Sequence, residues 1–443
     1  MKRLTPSSNR RFLVWDDGTP FFWLGDTAWE LFHRLTLEEV ECYLENRRRK
    51  RFTVIQAVVL AEFDGLNTPN AYGERPLIDN DPLKPSEAYF RHVDRVIELA
   101  GRKELLVALL PTWGDKLELL AHGKGPIILN PGNARRYGEW IGHRYREIWN
   151  VVWVNGGDRA GGGANTAIWN ALGQGVKSQD PNHLMTFHPL GGGGGHSSSE
   201  WFHHADWLDF NLAQSGHECR HLPNDRIIEH DYALEPVKPC LDGEPRYEDH
   251  TVNWKPAELG HFDDYDARQA GYWAVFAGAF GHTYGCHPVW QFLAPGRDPV
   301  GFARRPWMEA LDLPGAFQMT HLRNLIESRP MLSRIPDQSV VLDARSGPDH
   351  LRATRDESRS YAMVYTPVGR PFTVRMEAIA SPKVRGWWFN PRDGAAVRIG
   401  DFLSLGEQEF TPPDSGEKRD WVLVLDNAAK HFAAPGQETG EGR

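Results

Sequence analysis

Val151-Val152-Trp153-Val154-Asn155-Gly156-Gly157-Asp158-Arg159 decides the fold, because a short apolar, β-branched run stops abruptly in Gly-Gly-Asp. Such a run, bounded by glycines, reads as a strand buried on both faces. Helical patterns flank it, at about 134–149 and about 166–177. Strands that alternate with helices pair in parallel through crossovers.

Working outward, seven more runs repeat the pattern. Upstream lie Phe21–Leu24, ending in Gly25-Asp26-Thr27; Thr53–Leu60, ending at Glu62; and Leu105–Leu110, ending in Pro111-Thr112-Trp113-Gly114-Asp115. Downstream lie Leu184–Phe187, ending at His188; Trp207–Leu212, ending in Gln214-Ser215-Gly216-His217; and Lys238–Leu241, ending in Asp242-Gly243-Glu244. The eighth run is around Gly281–Tyr284, ending near Cys286-His287. Thr36 with Glu39 predicts a capping box, and Ser86 and Gly101 predict the start and stop of a second helix. Further helices are expected at about 264–279 and 315–328, and those after strands five and six have the weakest patterns.

Eight alternating units predict an α/β chain closed into a (β/α)8 TIM barrel over residues 1–335. An open doubly wound sheet would carry G-x-G-x-x-G in its first turn, and none is present. From about residue 336 short runs such as Tyr361–Thr366, Phe372–Glu377, Val384–Asn390 and Trp421–Leu425 follow one another without helices. They predict a small antiparallel β-sandwich over 336–435. The Gly/Glu-rich end, 436–443, predicts a disordered tail.

Composition narrows the function. The net charge is −9, and no basic block is long enough to track a nucleic-acid backbone, so no nucleic-acid partner is expected. No run approaches the roughly 20 apolar residues of a membrane span. The N-terminus is basic but lacks an apolar stretch, which predicts a cytoplasmic protein, or a secreted or periplasmic one if a signal has been trimmed. Cys42, Cys219, Cys240 and Cys286 form no C-x-x-C pair and read as free, mostly buried thiols. Seventeen Trp suit either sugar stacking or a large core, and the core is the simpler reading. Nothing in the pattern sets an oligomeric state.

Polar and aromatic residues crowd the C-terminal strand ends, where barrel enzymes place their active sites. Glycosidic cleavage needs two carboxyl groups on opposite sides of the anomeric carbon. The count puts Asp158 after strand four and Glu244 after strand seven, ends that face each other across a barrel mouth. The plain alternatives are a turn aspartate at 158 and a partner for Arg246 at 244. Asp26, Trp29, Glu62, Trp113 and Asp115 end strands one to three and are candidate substrate contacts. His188, Gln214, His217, His282, Tyr284 and Trp290 lie near the later ends and are further candidates. The loop 63–85 is long enough to be functional. No H-E-x-x-H or comparable ligand set appears, so no metal or cofactor is expected. The runs Gly161–Gly163 and Gly191–Gly195 lack a phosphate-loop ending and read as rim turns.

Five segments in order resemble the apiosidase-like glycoside hydrolase family. They are Phe22-Trp23-Leu24-Gly25-Asp26-Thr27-Ala28-Trp29-Glu30, Leu110-Pro111-Thr112-Trp113-Gly114-Asp115, Asn155-Gly156-Gly157-Asp158-Arg159, Gln214-Ser215-Gly216-His217 and Asp242-Gly243-Glu244-Pro245-Arg246-Tyr247-Glu248. The resemblance spans about 10–335, and the following module resembles the collagen-binding-type β-domain that often accompanies such barrels. It implies a D-apiosidase-type activity on apiosyl linkages of plant cell-wall glycans. It maps the acid/base to Asp158 and the nucleophile to Glu244, hence retention and a carboxyl separation of about 5–5.5 Å. Asp158 must then hold its proton through burial or the Glu244 charge, and Arg159 opposes this if it points inward. Two competing readings are a metal-dependent ester or amide hydrolase using the histidines and a non-catalytic glycan-binding barrel.

Overall fold

Every residue of Val54–Leu60, Leu106–Thr112 and Val151–Gly156 is buried, as parallel strands covered on both faces require. The computed structural model describes residues 2–120 and 123–437. Eight strands form the barrel: β1 (Trp23–Thr27), β2 (Val54–Leu60), β3 (Leu106–Thr112), β4 (Val151–Gly156), β5 (Met185–His188), β6 (Asn211–Gln214), β7 (Cys240–Asp242) and β8 (Gly281–Tyr284). They run in the order β5-β4-β3-β2-β1-β8-β7-β6, all parallel. A short antiparallel meander, Leu4–Pro6, Leu13–Trp15 and Pro20–Phe21, precedes them.

The seam between β5 and β6 is closed loosely. Asp209 N–H donates to Met185 O at 2.8 Å, and the Thr186 hydroxyl donates to Phe210 O at 2.7 Å. The crossover here contains one helical turn, Ser199–Phe202, and a two-residue strand, His196–Ser197, antiparallel to β6. The other crossovers carry α1 (Leu37–Arg49), α2 (Glu87–Arg102), α3 (Pro131–Tyr145), α4 (Asn165–Gln179), α5 (Asn224–Ala233) and α6 (Asp264–Phe276), and α7 (Pro314–Glu327) follows β8.

Side chains alternate across the barrel wall. Trp23, Val54, Val58, Leu106, Ala108, Leu110, Val152 and Val154 share the inner core. Leu24, Ile55, Ala57, Val59, Val107, Leu109 and Trp153 face the helices instead.

Several sequence expectations shift. The Thr36–Glu39 capping box is present. Ser86 holds the N-cap position of α2 without a side-chain cap bond, and Gly101 lies inside the helix, which ends at Arg102. The sixth strand starts at Asn211 rather than Trp207, because the Trp207 indole leaves the strand line to donate to Asn170 of α4 at 2.9 Å. All four cysteines are free; Cys240 and Cys286 are buried, and Cys42 and Cys219 are exposed. Residues 438–443, the bulk of the expected tail, lie outside the described residues.

The C-terminal module is antiparallel. Its larger sheet comprises β9 (Arg334–Pro336), β10 (Arg352–Asp356), β11 (Tyr361–Thr366), β13 (Lys383–Phe389), β14 (Ala396–Leu403) and β16 (Trp421–Asn427), and β12 (Phe372–Arg375) pairs with β15 (Glu407–Phe410). Val340, Leu351, Val364, Val374, Trp388 and Leu423 fill the space between. The module packs on α6: Tyr272 stacks on Tyr365 with ring centroids 4.9 Å apart. Two buried Arg–carboxylate forks cross the boundary. Arg268 donates to both oxygens of Asp420 at 3.0 Å, and Arg329 donates to those of Asp426 at 2.8 and 2.7 Å.

Removing one partner of a buried pair strands the other's charge, which costs about 3–5 kcal/mol. Asp420→Ala is therefore expected to lower stability by at most about that amount in urea unfolding, since Arg268 keeps Asp264 and Gln318 as partners.

Candidate active site

The chain turns sharply after β4. Gly156, Gly157 and Asp158 all have positive φ, at 96°, 129° and 55°. Glycine suits the first two positions for this reason, and space agrees. A Cβ on Gly157 would lie 2.9 Å from the Trp113 ring, and one on Gly156 would collide with the His188 carbonyl. The turn carries Asp158 to the barrel mouth.

A cavity of about 760 Å³ opens there. Asp158 and Glu244 both line it, with Trp29, Glu62, Trp113, Gln214, His217 and Trp290. Asp158 keeps 37% of its side-chain surface exposed to this space. Its Oδ1 accepts weakly from Gln214 Nε2 at 3.3 Å and from Gly191 N–H at 3.4 Å. It caps no helix, since α4 begins at Asn165.

Glu244 is held quite differently. Its Oε2 faces His188 Nε2 at 2.9 Å and its Oε1 faces His217 Nε2 at 3.2 Å. Arg246 is not its partner; that guanidinium donates to the carbonyls of Leu222 and Asp266. The Tyr247 phenol also faces Glu244, and burial, then the Glu244 charge, keep it well above its ordinary pKa of 10.0, hence neutral.

The two carboxyls differ in proton affinity. Burial, reinforced by the Glu244 charge, raises the Asp158 pKa above its ordinary 3.8. His188 and Arg159 act against that rise without reversing it. Arg159 points inward, but its guanidinium is engaged by the carbonyls of Glu118, Asp158 and Leu120. For Glu244 burial is the largest influence and pushes upward, yet the hydrogen bonds and charges of His188 and His217 together outweigh it. The result is a carboxylate lowered from 4.5 to about 2. One group is biased to carry a proton and the other to remain ionised, the division of labour an acid and a nucleophile need.

His188 does not line the cavity but lies under it, buried beneath Trp29 and Trp113 at 5.3 and 5.6 Å between ring centroids. Four other candidates are drawn away. Asp26 is fully buried, accepting from the Tyr43 hydroxyl at 2.5 Å and Arg47 Nε at 2.6 Å on α1. Asp115 pairs with Lys116 at 2.6 Å and accepts from Gly125 N–H at 2.9 Å. His282 is buried, and burial depresses it from 6.5 to about 3. Tyr284 donates to Glu248 in the helix layer. For Asp26, His282 and Tyr284 the reason is strand parity: Gly25 and Thr283 take the inward positions beside Trp23, and their neighbours point outward.

The loops after β6, β7 and β8 add residues that strand counting did not single out. Glu218, Tyr247, His250, Asn253, Trp254 and Phe302 complete the wall. Only Tyr247 stood in a segment that drew attention, three residues past Glu244. His250 stacks on His217 at 4.2 Å, and burial, then the His217 and His287 charges, hold it well below 6.5. Among the described residues no group of three or more His, Cys, Asp or Glu is arranged to hold a metal ion. No described helix is long and apolar enough to cross a membrane.

The family profile described as "Apiosidase-like, catalytic domain" matches residues 7–333, and one described as "Putative collagen-binding domain of a collagenase" matches 335–426. A solved structure described as a glycoside hydrolase is similar at 35% identity and a TM-score of 0.89, over 97% of this chain and 98% of that one. A glycoside hydrolase family 5 structure from Bacteroides vulgatus is similar at 32% identity and a TM-score of 0.90, over 99% and 95%. Another, described as a putative glycoside hydrolase from the same organism, shares the fold at 15% identity and a TM-score of 0.69, over 96% and 82%. No curated protein matches the chain. The chain belongs to the apiosidase-like family of glycoside hydrolases.

Proposed function

We propose that the protein is a retaining glycosidase acting on apiosyl or similar linkages of plant cell-wall glycans. The observation that carries this reading is the placement of Asp158 and Glu244 on one cavity, with Glu244 held between two imidazoles and Asp158 left partly exposed to the space. Asp158 protonates the departing glycosidic oxygen while Glu244 attacks the anomeric carbon. In the second step Asp158 takes a proton from water, which displaces Glu244. Trp29, Trp113 and Trp290 offer apolar faces for the sugar's C–H surfaces. Family membership supports the apiosyl assignment, and substrate trials must decide it.

Glu244→Gln is expected to abolish turnover on a panel of plant oligosaccharides. Asp158→Asn should lower kcat by about 10²–10⁴-fold, with the smallest loss on substrates whose leaving group needs no proton. Proton NMR of the first-formed product should give the substrate's own anomeric configuration. An inverted first product would remove Glu244 from the nucleophile's role.

The pH profile should be bell-shaped. Activity needs Glu244 ionised, so it falls as pH drops toward the lowered Glu244 value of about 2. It also needs Asp158 protonated, so it falls as pH rises through the raised Asp158 value. His188→Phe keeps a ring under Trp29 and Trp113 but deletes one hydrogen bond to Glu244. The acid limb of kcat/KM should then move to higher pH, back toward the ordinary carboxylate value of 4.5.

A further inference from the structure

The cavity holds a carboxyl group that the proposed chemistry does not use. Glu62 stands two residues beyond β2, where Phe63 and Asp64 follow with φ of 39° and 65° and swing the chain away. Its residue surface is 8% exposed, and it lines the cavity with Asp158 and Glu244. Among the described residues its side chain has no hydrogen-bond or ion-pair partner.

Its neighbours are all engaged. Asp115 has Lys116 at 2.6 Å, and Glu30 has His33 at 2.7 Å and Arg34 at 3.6 Å. Asp158 has Gln214 at 3.3 Å, with Arg159 at 3.8 Å. Lys116 is the cation nearest in influence to Glu62, but its ammonium is held by Asp115 and by the Ala61 carbonyl at 2.8 Å. A buried anion without a partner is costly, and so is a buried polar group left unpaired. Glu62 therefore faces the open cavity with neither a counter-ion nor a donor from the described protein residues.

We propose that Glu62 is a substrate-positioning residue that binds a sugar hydroxyl as a neutral carboxylic acid, donating through its O–H and accepting through its carbonyl. Asp158, once ionised, and Glu244 only accept hydrogen bonds, whereas a neutral acid matches a hydroxyl in both directions. The electrostatics agree: burial raises Glu62 well above 4.5, the charge of Asp158 adds to this whenever that group is ionised, Asp115 and Glu30 add to it further, and Lys116 opposes them only partly. Among the described residues no Lys or Arg lines the cavity to hold Glu62 ionised.

The assignment of a sugar as the ligand rests on the glycosidase reading, while the protonation state stands by itself. The infrared difference spectrum between wild type and Glu62→Gln at pH 7 should contain the carbonyl band of one protonated carboxyl; its absence overturns the proposal. On a turned-over oligosaccharide, Glu62→Ala should raise KM about tenfold or more, with a smaller change in kcat. Glu62→Gln, which keeps a donor and an acceptor, should recover most of that loss and should lack the rise in KM expected of wild type at alkaline pH. A Gln variant as impaired as the Ala variant overturns the proposal. A wild-type protein that hydrolyses no oligosaccharide of the panel would instead overturn the glycosidase reading, with the infrared result still deciding Glu62.

Discussion

The mouth of the barrel is organised around one imidazole. His188 ends β5, and its Nε2 lies 2.9 Å from Glu244, beyond β7. Its carbonyl accepts from Gly157 N–H at 3.1 Å, and its Nδ1 lies 3.4 Å from the Asp158 N–H. Its ring supports Trp29 and Trp113. Both carboxyls and two cavity aromatics are thus referred to a single buried side chain. A donor toward Glu244 requires the proton on Nε2, while Nδ1 lies between the Pro189 carbonyl at 3.0 Å, which can only accept, and the Asp158 N–H at 3.4 Å. Glu244 stays ionised in a buried place because two imidazoles, rather than solvent, supply its hydrogen bonds.

Much of this was legible in the sequence, for reasons that can be stated. β8 falls where the pattern places it, and β2, β4, β5 and β7 shift by a residue or two, because alternation of apolar runs with helices is a local signal. Asp158 and Glu244 meet at one cavity because strands four and seven of an eight-stranded barrel face each other. What failed was direction. Asp26, His282 and Tyr284 do stand at strand ends, but a period of two sends them to the helix layer, where Arg47 and Glu248 receive two of them. Strand ends give the level of a residue along the axis; parity gives the face. The loop residues His250, Asn253 and Trp254 carry no periodic signal, and they reach the cavity through long-range packing alone.

Tryptophan usage follows the same logic. Trp23, Trp153, Trp169, Trp273 and Trp307 are fully buried and serve the core, as the simpler reading holds. Trp29, Trp113, Trp254 and Trp290 line the cavity. The two groups are indistinguishable by count and separate only when the strands are placed. The C-terminal module is tied to the barrel by charged forks as well as by apolar contact. Arg268 and Arg329 are buried and reach across the boundary to Asp420 and Asp426. Such forks demand a fixed geometry, so the module holds α6 at a defined angle.

The loose junction between β5 and β6 makes the barrel a hoop fastened by a clasp instead of a weld. Radial give concentrates where the staves are least laddered. The glycine-rich segment 191–195 hangs from that clasp, and its first residue donates to the Asp158 carboxyl. Widening the clasp would therefore alter the aperture on the Asp158 side while β1 to β4, firmly laddered together, keep theirs. A rigid arc and a compliant arc face each other across one opening, so bulkier guests gain room on the compliant side.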